Sequence, residues 1–249
     1  MCYDGHNRVF LQKAGGVMDY SPVLISLKTA VVSIFFTFFL GVFAAWGVGS
    51  VENKKVRSIL DGIFILPLVL PPTVAGFFLL YVFGIRRPIG GFLLEYFSIK
   101  IAFSWGATVL AAVLISFPLM YRSARGAFEQ VNENIVYAAK TIGMSEWKIL
   151  WKIKMAVALP GVVSGGILAF TRGLGEFGAT AMIAGNIAGV TRTLPVAVYS
   201  AVAAGDDETA SQYVIILLII SFVAIVCMNY FTARNFKTRI KEGRHGSKN

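Results

Sequence analysis

Residues 134–160 read NIVYAAKTIGMSEWKILWKIKMAVALP, and their spacing decides the architecture built around them. Ile135, Ala138, Ala139 and Ile142 recur at i, i+3, i+4 and i+7, which predicts a helix with one small, apolar face. Two alanines on that face permit close approach by a partner. Gly143 should end the helix, because glycine enters the left-handed conformation without a Cβ penalty. Ser145 is placed to cap a second helix, Glu146 is favourable in its first turn, and Trp147, Leu150 and Trp151 form a second apolar stripe. The expected shape is two short helices joined at a glycine elbow. Such an element suits insertion into a groove on another protein. It also suits an amphipathic pair lying on lipid headgroups, which Lys140, Lys148, Lys152 and Lys154 would favour.

The chain on either side of this element is built for a membrane. Of its 249 residues 56% are hydrophobic, and the mean hydropathy of +0.70 is far above that of a soluble domain. Uncharged stretches run over 29–51, 62–85, 101–121 and 209–233, each of at least 21 residues and long enough to cross the hydrocarbon core as a helix. A fifth span is expected from about Met155 toward Ala184, interrupted by Arg172 and Glu176, which can pair on one helix face. The apolar piece 193–205 is too short to span and contains Pro195, so it reads as a short helix at the outer end of the bundle. The fold class is therefore an all-α integral membrane protein with five transmembrane helices.

Orientation follows from the basic residues. With the N-terminus outside, Lys54, Lys55 and Arg57, the segment from Arg122 to Lys154, and the tail from Arg234 to Lys248 all lie inside. Together they hold 15 of the 23 lysines and arginines, while Asp206, Asp207 and Glu208 lie outside. The net charge of +10 is thus a topology signal, and the chain shows no base-reading motif that would point to nucleic acid. Residues 1–17 lack the apolar core of a signal peptide and read as a disordered or non-native extension before Met18. Cys2 and Cys227 fall on opposite sides of the membrane, and His6 and His245 lie in the two tails, so neither a disulfide nor a metal cluster is expected. A G-x-x-x-x-G-K-[ST] phosphate loop is missing from the sequence, so energy should come from a partner or an ion gradient.

The segment 137–160 resembles the EAA motif, E-A-A-x3-G-x9-I-x-L-P, of membrane subunits in type I ABC importers. Ala138, Ala139, Gly143 and Ile153 match; Tyr137 stands in place of Glu, and Met155-Ala156 in place of Leu-Pro, with Leu159-Pro160 following. The resemblance covers 18–236. Within it, LPLVLPPTVAG at 66–76 and RGLGEFGATAMIAGNIAGVTRTLPVAVYSA at 172–201 look like permease subunits of molybdate importers. The G-E-F-G-A run is shared with sulfate permeases, whereas G-N-I-x-G-x-T-x-T-L-P is more like the molybdate type.

This resemblance implies a type I ABC importer permease fold over 18–236, a cytoplasmic coupling helix within 121–156, and a basic cytoplasmic tail at 237–249. It also implies a homodimer, two ATP-binding subunits carrying ATP-Mg inside, an extracytoplasmic binding protein, and no cofactor on this chain. The implied ATPase-coupling residues are Tyr137, Ala138, Ala139, Gly143, Trp147 and Ile153. Pathway or gating candidates are Pro71, Pro72, Thr73, Arg172, Glu176, Thr180 and Asn186, with Ser116 and Ser164 as further hydroxyls. Pro67, Pro71 and Pro72 bend a helix and free backbone carbonyls, either to line a path or simply to pack. Glu176 would repel a dianion, so it reads as a structural or gating partner of Arg172, with substrate contact the alternative. Arg86, Arg87 and Arg192, expected outside, either attract the anion or anchor the interface. The resemblance implies import of molybdate or tungstate, with a sulfate-type permease or a gradient-driven carrier as alternatives.

Overall fold

The structure is a computed structural model describing residues 18–245, so the expectation for residues 1–17 lies outside the described residues. It is helical almost throughout. Helix α1 spans Ser21–Gly49, α2 Lys54–Val69, α3 Pro72–Phe83, α4 Pro88–Phe97 and α5 Trp105–Glu129. The segment expected to couple to a partner forms α6, Glu133–Thr141, and α7, Glu146–Ile149. A π-helical turn at Leu150–Lys154 then leads into α8, Met155–Leu174. The short α9, Gly178–Ile183, and α10, Leu194–Ala203, precede the long α11, Asp207–His245.

Helices α1, α5 and α8 pack on one another as the centre of the bundle. Their contact is made close by small residues and sealed by hydroxyls, as expected where water cannot satisfy buried polar groups. Ser116 donates to the Ala112 carbonyl (2.6 Å) and so accepts from Thr37 (3.0 Å) across the α1–α5 interface. Two turns away, Thr108 donates to the Trp105 carbonyl (2.7 Å) and pairs with Thr29 (2.9 Å), which also accepts from the Trp105 indole (3.0 Å). Ser116, expected among pathway hydroxyls, is thus sealed inside a helix interface.

Among the described residues, four helical segments are long and apolar enough to cross a membrane: Ser21–Gly49, Trp105–Glu129, Glu146–Leu174 and Asp207–Cys227. A fifth results if α2 and α3, bent by 108°, are one broken span. Leu70 at the bend is extended (φ −69°, ψ 140°), the conformation forced on a residue before proline, and neither Pro71 nor Pro72 has an N–H to continue a helix.

One span is longer than its uncharged stretch, and two sequence expectations are corrected. Helix α1 begins at Ser21, well before the uncharged stretch, because the Lys28 ammonium is accommodated over the Trp105 ring, 4.1 Å from its centroid. The second short helix after the elbow is not separate: α7, the π turn and α8 form one rod from Glu146 to Leu174. The span from Met155 does not run on toward Ala184 but stops at Leu174, because the chain turns at Gly175 and restarts as α9. Helix α10 is short as expected; its Leu194 N–H donates to Ser26 Oγ (2.7 Å), tying it to the start of α1.

Helix α3 packs on α9 with almost no clearance. A Cβ on Gly76 would lie 2.7 Å from Ala179 Cα and 2.8 Å from its carbonyl oxygen, both backbone atoms that cannot rotate away. Gly76→Leu should therefore cost about 3 kcal/mol by overpacking and reduce the folded yield in detergent. Gly166→Ala, where a Cβ meets nothing within 4 Å inside a helix, should hold or raise the thermal midpoint.

Candidate functional site

Two features stand out: the segment 132–154 at one end of the bundle, and the interruption between α8 and α9 within it. Asn132 caps α6 by accepting the Asn134 N–H (2.9 Å). The helix ends in a Schellman turn, with Met144 N–H donating to the Ala139 carbonyl (3.0 Å) and Gly143 N–H to the Lys140 carbonyl (2.9 Å). Gly143 has φ +80° and open space around it, so the elbow rests on backbone conformation alone. Ser145 then caps α7 through the Lys148 N–H (3.4 Å).

Lys140 bridges the elbow to Glu146 at 2.7 Å. Glu146 raises the lysine pKa by hydrogen bonding first and charge second. A raised pKa means that the contribution is present at and below lysine's ordinary value and is lost only as pH climbs above it. The bridge therefore stays intact across physiological pH, although an exposed pair adds little stability.

The apolar face of α6 is largely unpartnered within the chain. Ile135, Ala138 and Ile142 (78% exposed) project outward on it, and Tyr137 (60% exposed) projects from the opposite side of the helix. Ala139 does not share this face: it is buried against the chain itself at 4% exposure. The stripe after the elbow turns inward only in part, with Trp147 still 53% exposed. Leu150 is fully buried, and Trp147 stacks on Phe43 of α1 (5.8 Å, 20°) and meets Trp46 edge-on (6.0 Å). Ile153, half-buried, sits in the π turn. That turn rephases the rod so that Ile149, Leu150 and Met155 all face the core.

At the interruption, Glu176 is 2% exposed and fully engaged. One carboxylate oxygen accepts from Arg172 Nη1 (2.7 Å), and the other accepts the Ala179 N–H (2.8 Å) at the start of α9. The i, i+4 pairing expected on a helix face forms even though Glu176 lies beyond the end of α8. With both oxygens occupied, the carboxylate organises the break rather than offering itself to a ligand. Gly178 lies against Pro72 and Thr73, where an added Cβ would stand 3.0 Å from Pro72 Cβ and 3.2 Å from Thr73 N, so the proline bend and this break meet. Thr180 is buried beside them.

Pro71, just before α3, and Thr73 at its start are exposed at this bend. Other candidates lie apart from the junction: Ser164 is exposed on α8. Asn186 sits on the loop before α10, donating to Ser200 Oγ (3.1 Å) and accepting from Arg192 Nε (2.7 Å). The sequence reading did not single out Arg57, Asp61, Tyr121, Arg125 and Glu129, which gather where α2 and α5 approach the coupling segment. The i, i+4 spacing of Arg125 and Glu129 was the available signal.

The sequence profile described as "Binding-protein-dependent transport system inner membrane component" matches residues 37–237. The molybdenum transport system permease protein ModB of Escherichia coli K12 is 39% identical over 209 residues, covering 84% of this chain and 91% of that protein. Its Haemophilus influenzae counterpart is 36% identical, covering 87% of this chain and 95% of that protein. In fold, the chain is similar to an inward-facing structure of the MetNI methionine ABC transporter, with a TM-score of 0.68 at 16% identity over 86% of this chain and 94% of that one. The family profile and the two relatives each extend over most of the chain, and with them the chain belongs to the family of binding-protein-dependent transport system inner membrane components.

Proposed function

We propose that this chain is the membrane-spanning subunit of an ATP-driven importer that carries molybdate, or the similar tungstate, into the cell. The observation that carries the coupling half of this reading is the exposed apolar face of α6, held at the Gly143 elbow on the end of a membrane bundle. A short helix presenting Ile135, Ala138 and Ile142 on that face, with Tyr137 opposite, suits a groove on an ATP-binding subunit. The substrate half is supported by relatives named as molybdenum transport permeases. Two copies of the chain form the pathway, two ATP-binding subunits holding ATP-Mg dock inside, and an extracytoplasmic binding protein delivers the anion. The membrane domain extends over 18–236, with the N-terminus outside and the C-terminus inside. Alternation between inward-facing and outward-facing states follows ATP binding and hydrolysis as a two-state rigid-body change.

Neutral donors suit an anion that must bind weakly enough to leave. The pairing of Glu176 with Arg172 and the Ala179 N–H supports a structural or gating role at the break over direct substrate contact.

The test is uptake of labelled molybdate into vesicles holding this chain, its ATP-binding subunit and its binding protein. Uptake should require ATP and be blocked by tungstate but not by sulfate. Competition by sulfate reassigns the substrate to the sulfate type, and uptake driven by an ion gradient without ATP overturns the importer reading.

A further inference from the structure

We infer that Asp61, Tyr121, Arg125 and Glu129, with Arg57, form a charged clasp that transmits movement of the coupling segment to the broken span, so that these are positioning residues for transport. This rests on the importer reading above.

Arg57 and Asp61 lie on α2; Tyr121, Arg125 and Glu129 lie on α5, whose end at Glu129 is separated from α6 by only a short turn. Glu129 accepts from Arg57 Nη2 (3.0 Å) and pairs with Arg125 Nη2 (3.1 Å). Arg125 Nε stands 3.7 Å from Asp61 Oδ1, and the same oxygen accepts from the Tyr121 hydroxyl. Arg125 is 8% exposed and Tyr121 fully buried, so the inner side of the cluster is shielded from water, while Arg57 and Glu129, the latter with 54% of its side chain exposed, form its wet rim. Two cations and two carboxylates balance, which leaves the cluster without net charge to hold a free ion. It is a joint between helices.

A cleft of about 790 Å³ is lined by Arg57, Arg125 and Glu129 together with Tyr137, Lys140 and Glu146 of the coupling segment. The coupling segment therefore stands across an open space from much of the bundle, rooted through the end of α5 and through α8. A shift of α6 pulls first on the end of α5. The clasp passes that pull to α2, the bend at Pro71 passes it to α3, and the close α3–α9 contact at Gly76 and Gly178 brings it to the break held by Glu176. Discrete packed elements of this kind carry coupling, and a coupling measurement decides whether they do.

The measurement is the number of anions transported per ATP hydrolysed by the full complex in vesicles, with the amount of assembled complex determined in parallel. Asp61→Asn should lower the ratio by about five-fold, and Tyr121→Phe should lower it less, in the same direction. Because asparagine keeps an oxygen for the Tyr121 hydroxyl, the double variant pairs Tyr121→Phe with Asp61→Ala, which removes the acceptor, and it should be no worse than Asp61→Ala alone. Asp61→Glu, which keeps the carboxylate, should retain most of the coupling. If Asp61→Asn does not assemble, Tyr121→Phe, which loses only a hydroxyl, decides by itself. Unchanged ratios, or losses that multiply in the double variant, overturn the clasp while leaving the importer reading intact. Absence of ATP-driven uptake by the unaltered protein overturns both.

Discussion

Gly143→Ile should leave the membrane complex assembled while lowering ATP-driven uptake by about tenfold, with ATP hydrolysis by the partner subunits continuing. A Cβ at Gly143 would meet nothing within 4 Å, so within this chain the effect of the substitution is conformational. At φ +80° a β-branched side chain is strained by about 1–2 kcal/mol, and the simplest relief is to abandon the left-handed residue. That would break the Schellman bonds to the Ala139 and Lys140 carbonyls and swing α6 away from the axis of the Glu146–Leu174 rod. Membrane packing is far from this site and should be untouched. Gly143→Asn is the control, because asparagine tolerates left-handed backbone and should retain most of the uptake. Normal uptake by Gly143→Ile would remove the elbow from the mechanism.

Arg172→Met should be more damaging than Glu176→Gln, although each removes one partner of the same 2.7 Å pair. The asymmetry comes from burial. Arg172 keeps 32% of its side-chain surface and can turn outward when its partner is lost, whereas Glu176 keeps 1% and cannot. Arg172→Met strands a buried carboxylate, at a cost of about 3 kcal/mol. Glu176→Gln removes the charge but leaves an amide oxygen for the Ala179 N–H, so the expected cost is about 1 kcal/mol. The double variant should be more stable than Arg172→Met alone, since no buried charge remains. Thermal unfolding of the purified protein in detergent gives the order directly. A double variant as unstable as Arg172→Met would show that the pair's charge is not what organises the break.

These expectations mark where sequence reading succeeds. The elbow at Gly143, the Ser145 cap and the bend at Pro71 and Pro72 are set by the backbone preferences of single residues, and each is present where those preferences place it. The number of apolar spans follows from length and hydropathy, which are also local quantities. The sequence marks Arg172 and Glu176 as an interruption but does not show that the helix stops there: the chain turns at Gly175, and the buried, paired Glu176 starts α9 by accepting the Ala179 N–H. Ala139 shared the periodicity of an outward face yet turns inward, because a 3.6-residue repeat defines a stripe without saying how wide the exposed part is.

By itself the sequence determined an all-helical membrane chain, a proline-broken span and a short helical element hinged at one glycine. Tertiary structure alone decided that Ser116 belongs to a helix seam, that Trp147 packs on α1, and that Asp61 meets Tyr121 and Arg125. The reason is range. Caps, turns and periodicities act within a few residues, whereas the Thr29–Thr108 and Tyr121–Asp61 bonds join positions 79 and 60 residues apart, and such pairings exist only once the helices have packed.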